Sequence, residues 1–206
     1  MQMLLSDAEI IKRCYDENGR VFPKSLISPF VASQVRTLNS KPIVSYGLSA
    51  YGYDVRLSNR FKMMKTLSSH GRSLLSVPID PLISNDDDYV DVYADEDDAI
   101  IIPPGGFLLG ITLEYFNIPR DVLVECLSKS TLARIGLNVT VTPLEPEWCG
   151  RVVLEISNIG TRPIKLYAYQ GIAQFIFHHN PNGCNVSYKD RNGKYQNQNE
   201  IITAKV

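Results

Sequence analysis

Two stretches of this sequence hold side chains whose types and spacing can do chemistry. The first is Ser128-Lys129-Ser130-Thr131-Leu132-Ala133-Arg134-Ile135-Gly136, which reads as a short helix capped by Ser128 and stopped at Gly136. Leu132 and Ile135 lie three apart and can seat one side of that turn on a core, while Ser130 and Arg134 lie four apart and share another face. A helix start bearing Lys129 and Ser130 brings free backbone N–H groups, a cation and hydroxyls together, which is what a polyphosphate needs. A capped surface turn with ordinary charges is the alternative at this point.

The second stretch is Arg151-Val152-Val153-Leu154-Glu155-Ile156-Ser157. Strand alternation puts Val152, Leu154 and Ile156 on one face and Arg151, Val153 and Glu155 on the other. Glu155 is thus a mid-strand carboxylate, either on a solvated face or an acid/base group whose pKa its surroundings raise. One such carboxylate can take a proton from an attacking water and pass protons to a leaving amine, the work that deamination of a cytosine ring requires. Zinc is the common activator of that water, but its H-x-E and P-C-x-x-C signature is absent, and His70, His178 and His179 stand in no such motif. A zinc hydrolase is therefore disfavoured, and His178 and His179 read as the surface end of a strand. In Gly171 to Phe177, Gln174 aligns with Ile172 and Ile176, and a buried glutamine there needs a partner.

The elements that must position these groups are mostly strands. Short β-rich runs separated by Pro, Gly and Asn cover 53–61, 99–102, 107–115, 122–127, 139–142, 152–157, 164–169 and 172–177, the spacing of an all-β sandwich or barrel. Ahead of them, Leu5-Ser6-Asp7-Ala8-Glu9-Ile10 predicts one helix, with Ser6 and Glu9 as a capping box and Leu5 stapled onto Ile10. Residues Asp86 to Asp98 hold eight carboxylates in thirteen positions, too much like charge for a buried strand; a solvated loop or edge is expected. From Asn180 onward the polar text, with Asn182-Gly183 and Asn192-Gly193, predicts a hairpin followed by a mobile segment of the kind that forms lids. The chain is read as a single domain, 1–206, with an N-terminal helix in 1–20, an acidic loop in 80–98 and a C-terminal hairpin and lid in 180–206.

Composition limits the partners. A net charge of -1 and a pI near 6.3 exclude the broad basic field of a nucleic-acid binder yet allow a local cationic pocket. No apolar run nears the roughly 18 residues of a membrane span. Cys14, Cys126, Cys149 and Cys184 form no C-x-x-C pair and follow no secretory signal, so reduced thiols in the cytoplasm are expected.

Taken jointly, the motifs resemble one family. Ser-Lys-Ser-Thr-Leu-Ala-Arg at 128–134, Val-Thr-Pro-Leu-Glu-Pro-Glu-Trp at 141–148, Val-Leu-Glu at 153–155, Gly-Ile-Ala-Gln at 171–174 and Gly-Lys-Tyr at 193–195 resemble the dCTP deaminases, within the superfamily shared with trimeric dUTPases. Tyr51-Gly52-Tyr53-Asp54-Val55-Arg56-Leu57 adds an earlier piece. The resemblance implies a distorted, dUTPase-like β-barrel with few helices, assembled as a homotrimer with active sites at subunit interfaces and a C-terminal lid. It implies zinc-independent conversion of dCTP to dUTP and ammonia, feeding dUMP and dTTP synthesis, with dTTP as a candidate inhibitor and Mg²⁺ carried by the triphosphate rather than by the protein. Glu155 would be the general acid/base, while Ser130 and Arg134 would position water and support charge. Lys129, Ser130, Thr131, Leu132, Ala133 and Arg134 would hold phosphates with Gln174, Tyr188, Lys194 and Gln198, and backbone groups of Val153 and Leu154 would lie along the nucleotide.

This sequence departs from the family pattern in two places. Lys129 and Ser130-Thr131 stand where Arg or Gly and Ser-Ser are frequent, and charge and hydroxyl are kept. The segment from Gly136 to Trp148 is shorter than in deaminases with a His-Arg pair there, and Glu145 stands roughly where dUMP-releasing relatives and dUTPases supply an aspartate. Glutamate is longer by one methylene, and misplacement is costly for in-line attack by water. Release of dUTP is therefore favoured over the alternatives: a bifunctional enzyme yielding dUMP and diphosphate, a dUTP diphosphatase, or a non-catalytic nucleotide-binding regulator.

Overall fold

The computed structural model describes residues 3–83, 86–95 and 97–205. The chain opens with β1 (Met3–Leu4) and α1 (Asp7–Cys14), then β2 (Ile27–Ser28), β3 (Val35–Leu38), β4 (Lys41–Ser49) and β5 (Gly52–Met64). There follow β6 (Tyr89–Tyr93), β7 (Ala99–Ile102), β8 (Phe107–Asn117) and β9 (Val122–Ser128). A one-turn α2 (Ser130–Ala133) leads to β10 (Leu137–Thr140), β11 (Cys149–Asn158), β12 (Ile164–Tyr167) and β13 (Gly171–His179). At α1 the expected start is formed: the Glu9 carboxylate accepts from the Ser6 N–H at 2.8 Å and from its hydroxyl at 3.0 Å, while Leu5 and Ile10 are buried.

One large sheet follows the path β1-β13-β5-β8-β11-β10, and β7 and β12 form a separate pair. The long strand β5 explains the shape. Its first half, Tyr53 to Arg56, pairs with β13, whereas its second half, through Met63, pairs with β8 and β6. A register shift between Leu57 and Phe61 lies on the β8 side of this changeover. Bulges of this kind bend a strand and increase its twist, so the sheet curls over its own inner face into the expected barrel-like form. That face holds Tyr53, Phe61, Phe116, Phe175 and Phe177, all essentially without solvent contact. Each such large apolar side chain contributes about 1.5–3 kcal/mol over an exposed one.

Two features of the sheet bear on the sequence reading, and one expectation of the fold, at the C-terminus, needs correction. The acidic segment takes the solvated-edge form: in β6, Tyr89 and Val92 are half-buried against β5 while Asp91 stays in solvent. The β3–β4 hairpin lies ahead of the strand runs expected from sequence. At its turn Asn39 and Ser40 adopt left-handed backbone angles, φ 48° and 61°, which match the twist of a two-residue hairpin. The C-terminal segment is no hairpin. Asn180 to Gly183 and Tyr188 to Gly193 close small local turns, and Gln198 makes a single parallel bridge to Gly150. Polar flanks without alternating apolar residues give those Asn-Gly turns no strands to join.

Among the described residues, no helix is long and apolar enough to cross a membrane.

Candidate active site

β11 lies between β8 and β10, with Glu155 opposite Leu109 on one side and Thr140 on the other. The alternation read from sequence is realised: Val152, Leu154 and Ile156 are in the core, whereas Arg151, Val153 and Glu155 are half-buried on the opposite face. Glu155 and Val153 line a cavity of about 400 Å³ whose walls include Tyr89, Leu109, Val141, Trp148, Tyr188 and Gln198. Burial against these mostly apolar walls raises the Glu155 pKa above the usual carboxylate range, opposed by a hydrogen bond with its own backbone. The same setting pushes the neighbouring Cys126 thiol up to about 12, by burial and then by the Glu155 charge. A carboxylate with its proton affinity raised in this way is suited to taking and giving a proton.

The tail closes one side of this cavity. Ile202, Thr203 and Ala204 line it, and the tail is fastened at several points below them. The Trp148 indole N–H donates to the Tyr195 carbonyl at 2.9 Å, and Gln198 is buried, exchanging bonds with Arg151 at 2.7 and 3.1 Å. Tyr188 accepts from the Tyr195 N–H through its hydroxyl at 2.9 Å. Lys194 is exposed and donates to the Lys205 carbonyl at 3.2 Å. Glu145 also lines the cavity and is engaged by Arg191.

The cradle is built differently from the expectation. Lys129, not Ser128, occupies the helix cap position. The Ser128 hydroxyl instead donates to the Val139 carbonyl at 2.8 Å and accepts from its N–H at 3.1 Å, tying the cradle to β10. Leu132 is buried, but Ile135 is exposed, because the turn tightens at its end: the N–H groups of Ile135 and Gly136 bond to carbonyls three residues back. Gly136, at φ 87°, ends the turn as expected. Lys129 is not free. Its ammonium lies 2.6 Å from Asp54, which also accepts from the Gln34 amide at 2.8 Å. Ser130, Thr131, Ala133 and Arg134 are exposed, and Arg134 forms no ion pair among the described residues.

Within one chain, Ser130 and Arg134 do not line the Glu155 cavity, and Thr131 lines a different one. Gln174 is half-buried on β13 and donates to the Ser49 hydroxyl at 3.1 Å, outside both cavities. The Leu154 side chain belongs to the core, so only its backbone can face a ligand. The predicted residues therefore fall into two half-sites: an apolar pocket with Glu155, Val153, Tyr188 and Gln198, and a cradle at 129–134 that exposes Ser130, Thr131, Ala133 and Arg134.

A family model described as dCTP deaminase-like matches residues 4–180. This chain belongs to the dCTP deaminase-like family. The "dCTP deaminase" of Legionella pneumophila (strain Lens) is 51% identical over 176 residues, 85% of this chain and 88% of that protein. The one of Ectopseudomonas mendocina (strain ymp) is 45% identical over 199 residues, 97% of each chain. The crystal structure of 2'-deoxycytidine 5'-triphosphate deaminase from Agrobacterium tumefaciens superposes with a TM-score of 0.56 at 14% identity, a likeness of fold. It covers 87% of this chain, which spans about half, 48%, of that one.

In this dCTP deaminase-like chain, sequence reasoning missed several cavity-lining residues. Tyr89 reaches the cavity from β6, and its hydroxyl pKa is raised by burial, by Asp88 and by Glu155. The sequence around it signalled only charge. Trp148 and the tail residues Ile202 to Ala204 were also missed. Among the described residues, no group of three His, Cys, Asp or Glu side chains gathers to hold a metal.

Proposed function

We infer that this chain deaminates dCTP to dUTP and ammonia, with Glu155 as the proton-transfer group. The observation that carries this reading is the desolvated Glu155 on a half-open apolar cavity sized for a base and sugar, in a chain of this family. Glu155 accepts a proton from the water that adds at C4 of the cytosine and returns protons to the departing ammonia. Ser130 and Arg134 hold the water and the charge that develops on the ring. Val153 and Leu154 offer backbone groups along the nucleotide.

Because Ser130 and Arg134 lie outside the Glu155 cavity of their own chain, a second copy must bring its cradle to that cavity. A homotrimer with composite sites satisfies this. Mg²⁺ would be carried by the triphosphate oxygens, where it would offset phosphate charge. Tyr188, Lys194 and Gln198 belong to the closing tail. Glu145 is drawn to Arg191, which supports an enzyme that stops at dUTP. Such an enzyme acts in the cytoplasm, where its substrate is made.

Purified protein with dCTP and Mg²⁺ is expected to release ammonia and dUTP in equal amounts. Intact dCTP at saturating concentration would sink the reading, and diphosphate among the products would replace it with the dUMP-forming one.

A further inference from the structure

Glu155 does not stand alone on its face of the sheet, because the strand registers set two aromatic side chains on one flank of it. Ser157, two residues beyond Glu155 on β11, lies opposite Phe107 on β8, and the neighbouring Leu108 lies opposite Met63 on β5. The next residue of β5, Met64, lies opposite Tyr89 on β6. Phe107 and Tyr89 thus follow the Ser157 row, and both are half-buried and line the Glu155 cavity of about 400 Å³. Burial raises the Tyr89 hydroxyl pKa, and the charges of Asp88 and then Glu155 add to it, so the tip of the ring lies within the field of the carboxylate.

The other flank of Glu155 is backbone. β10 pairs with β11 from Asn158 back to Glu155, and the tail meets β11 at Gly150 and Arg151 through Gln198. Val153, between these two, pairs with Ile111 of β8 on one side, and among the described residues no strand pairs with it on the other. A cytosine ring has the same division about C4. N3 and O2 are hydrogen-bonding atoms that need polar partners, whereas C5 and C6 carry only C–H groups and lose nothing against aromatic walls. With C4 held at Glu155, the ring satisfies its polar edge toward the open backbone at Val153, which turns C5 toward Phe107 and Tyr89.

Resting on the deaminase reading, we propose that Tyr89, backed by Phe107, walls the C5 position of the base and is the residue by which the enzyme tells cytosine from 5-substituted cytosines. β6 pairs only with β5, so residue 89 can change size without repacking the barrel core. The test uses the full chain and compares kcat/KM for 5-methyl-dCTP and dCTP on one preparation of each variant, so that any loss of folded protein cancels in the ratio. One methyl group against a fitted wall is worth about 10–200-fold, so the 5-methyl-dCTP to dCTP ratio should rise about tenfold or more over wild type in Tyr89→Ala. It should hold in Tyr89→Phe, which keeps the ring, and fall in Tyr89→Trp. Calorimetry with 5-bromo-dUTP and dUTP reads the same wall without turnover, and Tyr89→Ala should shift that affinity ratio toward the bromo compound by about tenfold as well. With an active wild type, an unchanged turnover ratio in Tyr89→Ala, or an equal shift in Tyr89→Phe, overturns the proposal. With a wild type inert toward dCTP the deaminase reading falls instead, and the 5-bromo-dUTP to dUTP ratio alone then decides whether the wall stands.

Discussion

Glu155→Gln is the substitution that separates proton transfer from architecture. The amide keeps the shape of the carboxylate on β11 but cannot carry a proton. General acid–base catalysis contributes about 10²–10⁴-fold, and in the proposed mechanism the same group serves both the attacking water and the leaving amine. The expected loss is therefore at the upper end, about a thousandfold or more in kcat, equivalent to roughly 4 kcal/mol of barrier. KM should move little. Stability should respond in the opposite sense. Burial raises the Glu155 pKa, so its favourable contribution is full below the ordinary carboxylate range and is lost as pH rises through the raised native value. At pH 8 the neutral amide should be at least as stable as the wild type, and at pH 4 that advantage should disappear. Ammonia release under saturating dCTP gives kcat, and thermal melts at the two pH values give the stability change. A variant within tenfold of wild-type kcat, or one several degrees less stable at pH 8, would refute the assignment of Glu155 as a desolvated acid/base group.

Other outcomes follow from named contacts. Asp54→Ala leaves the nearly buried Lys129 ammonium without its carboxylate; breaking such a pair costs about 3 kcal/mol, so Tm should fall by roughly 9 °C. Gly150 has φ 147° and a Cβ there would lie 2.9 Å from the Gln198 backbone, so Gly150→Ala should detach the tail, seen as faster proteolysis after Tyr195 and a higher KM for dCTP. Removing the segment after Tyr188 should raise KM and slow turnover, and unchanged kinetics would count against a closing tail.

What the sequence made legible follows from how local each signal is. The Glu155 strand was readable because alternation decides faces: Val152, Leu154 and Ile156 could only go inward, and they do. The Ser6–Glu9 box and the Gly136 stop were equally local. Lys129 misled because its partner, Asp54, is 75 residues away on β5, and nothing in either neighbourhood announces the pairing. Ser128 was read as a cap since a hydroxyl before a helix normally serves there, yet Val139 offered it both a donor and an acceptor. Tyr89 was hidden among carboxylates that describe only the solvent side of its strand. The division into two half-sites is a property of the fold, set by the curl of β5, and lies beyond any local pattern.

The central claim is that a cradle from one chain and Glu155 from another form one deaminating site. Arg134→Ala and Glu155→Gln should each be inactive as pure proteins. When the two are co-expressed or refolded together, a cyclic trimer assembled at random places an intact cradle opposite an intact Glu155 in roughly a quarter of its sites, so about a quarter of wild-type ammonia release should return. A mixture that forms mixed trimers yet regains no activity would contradict the account.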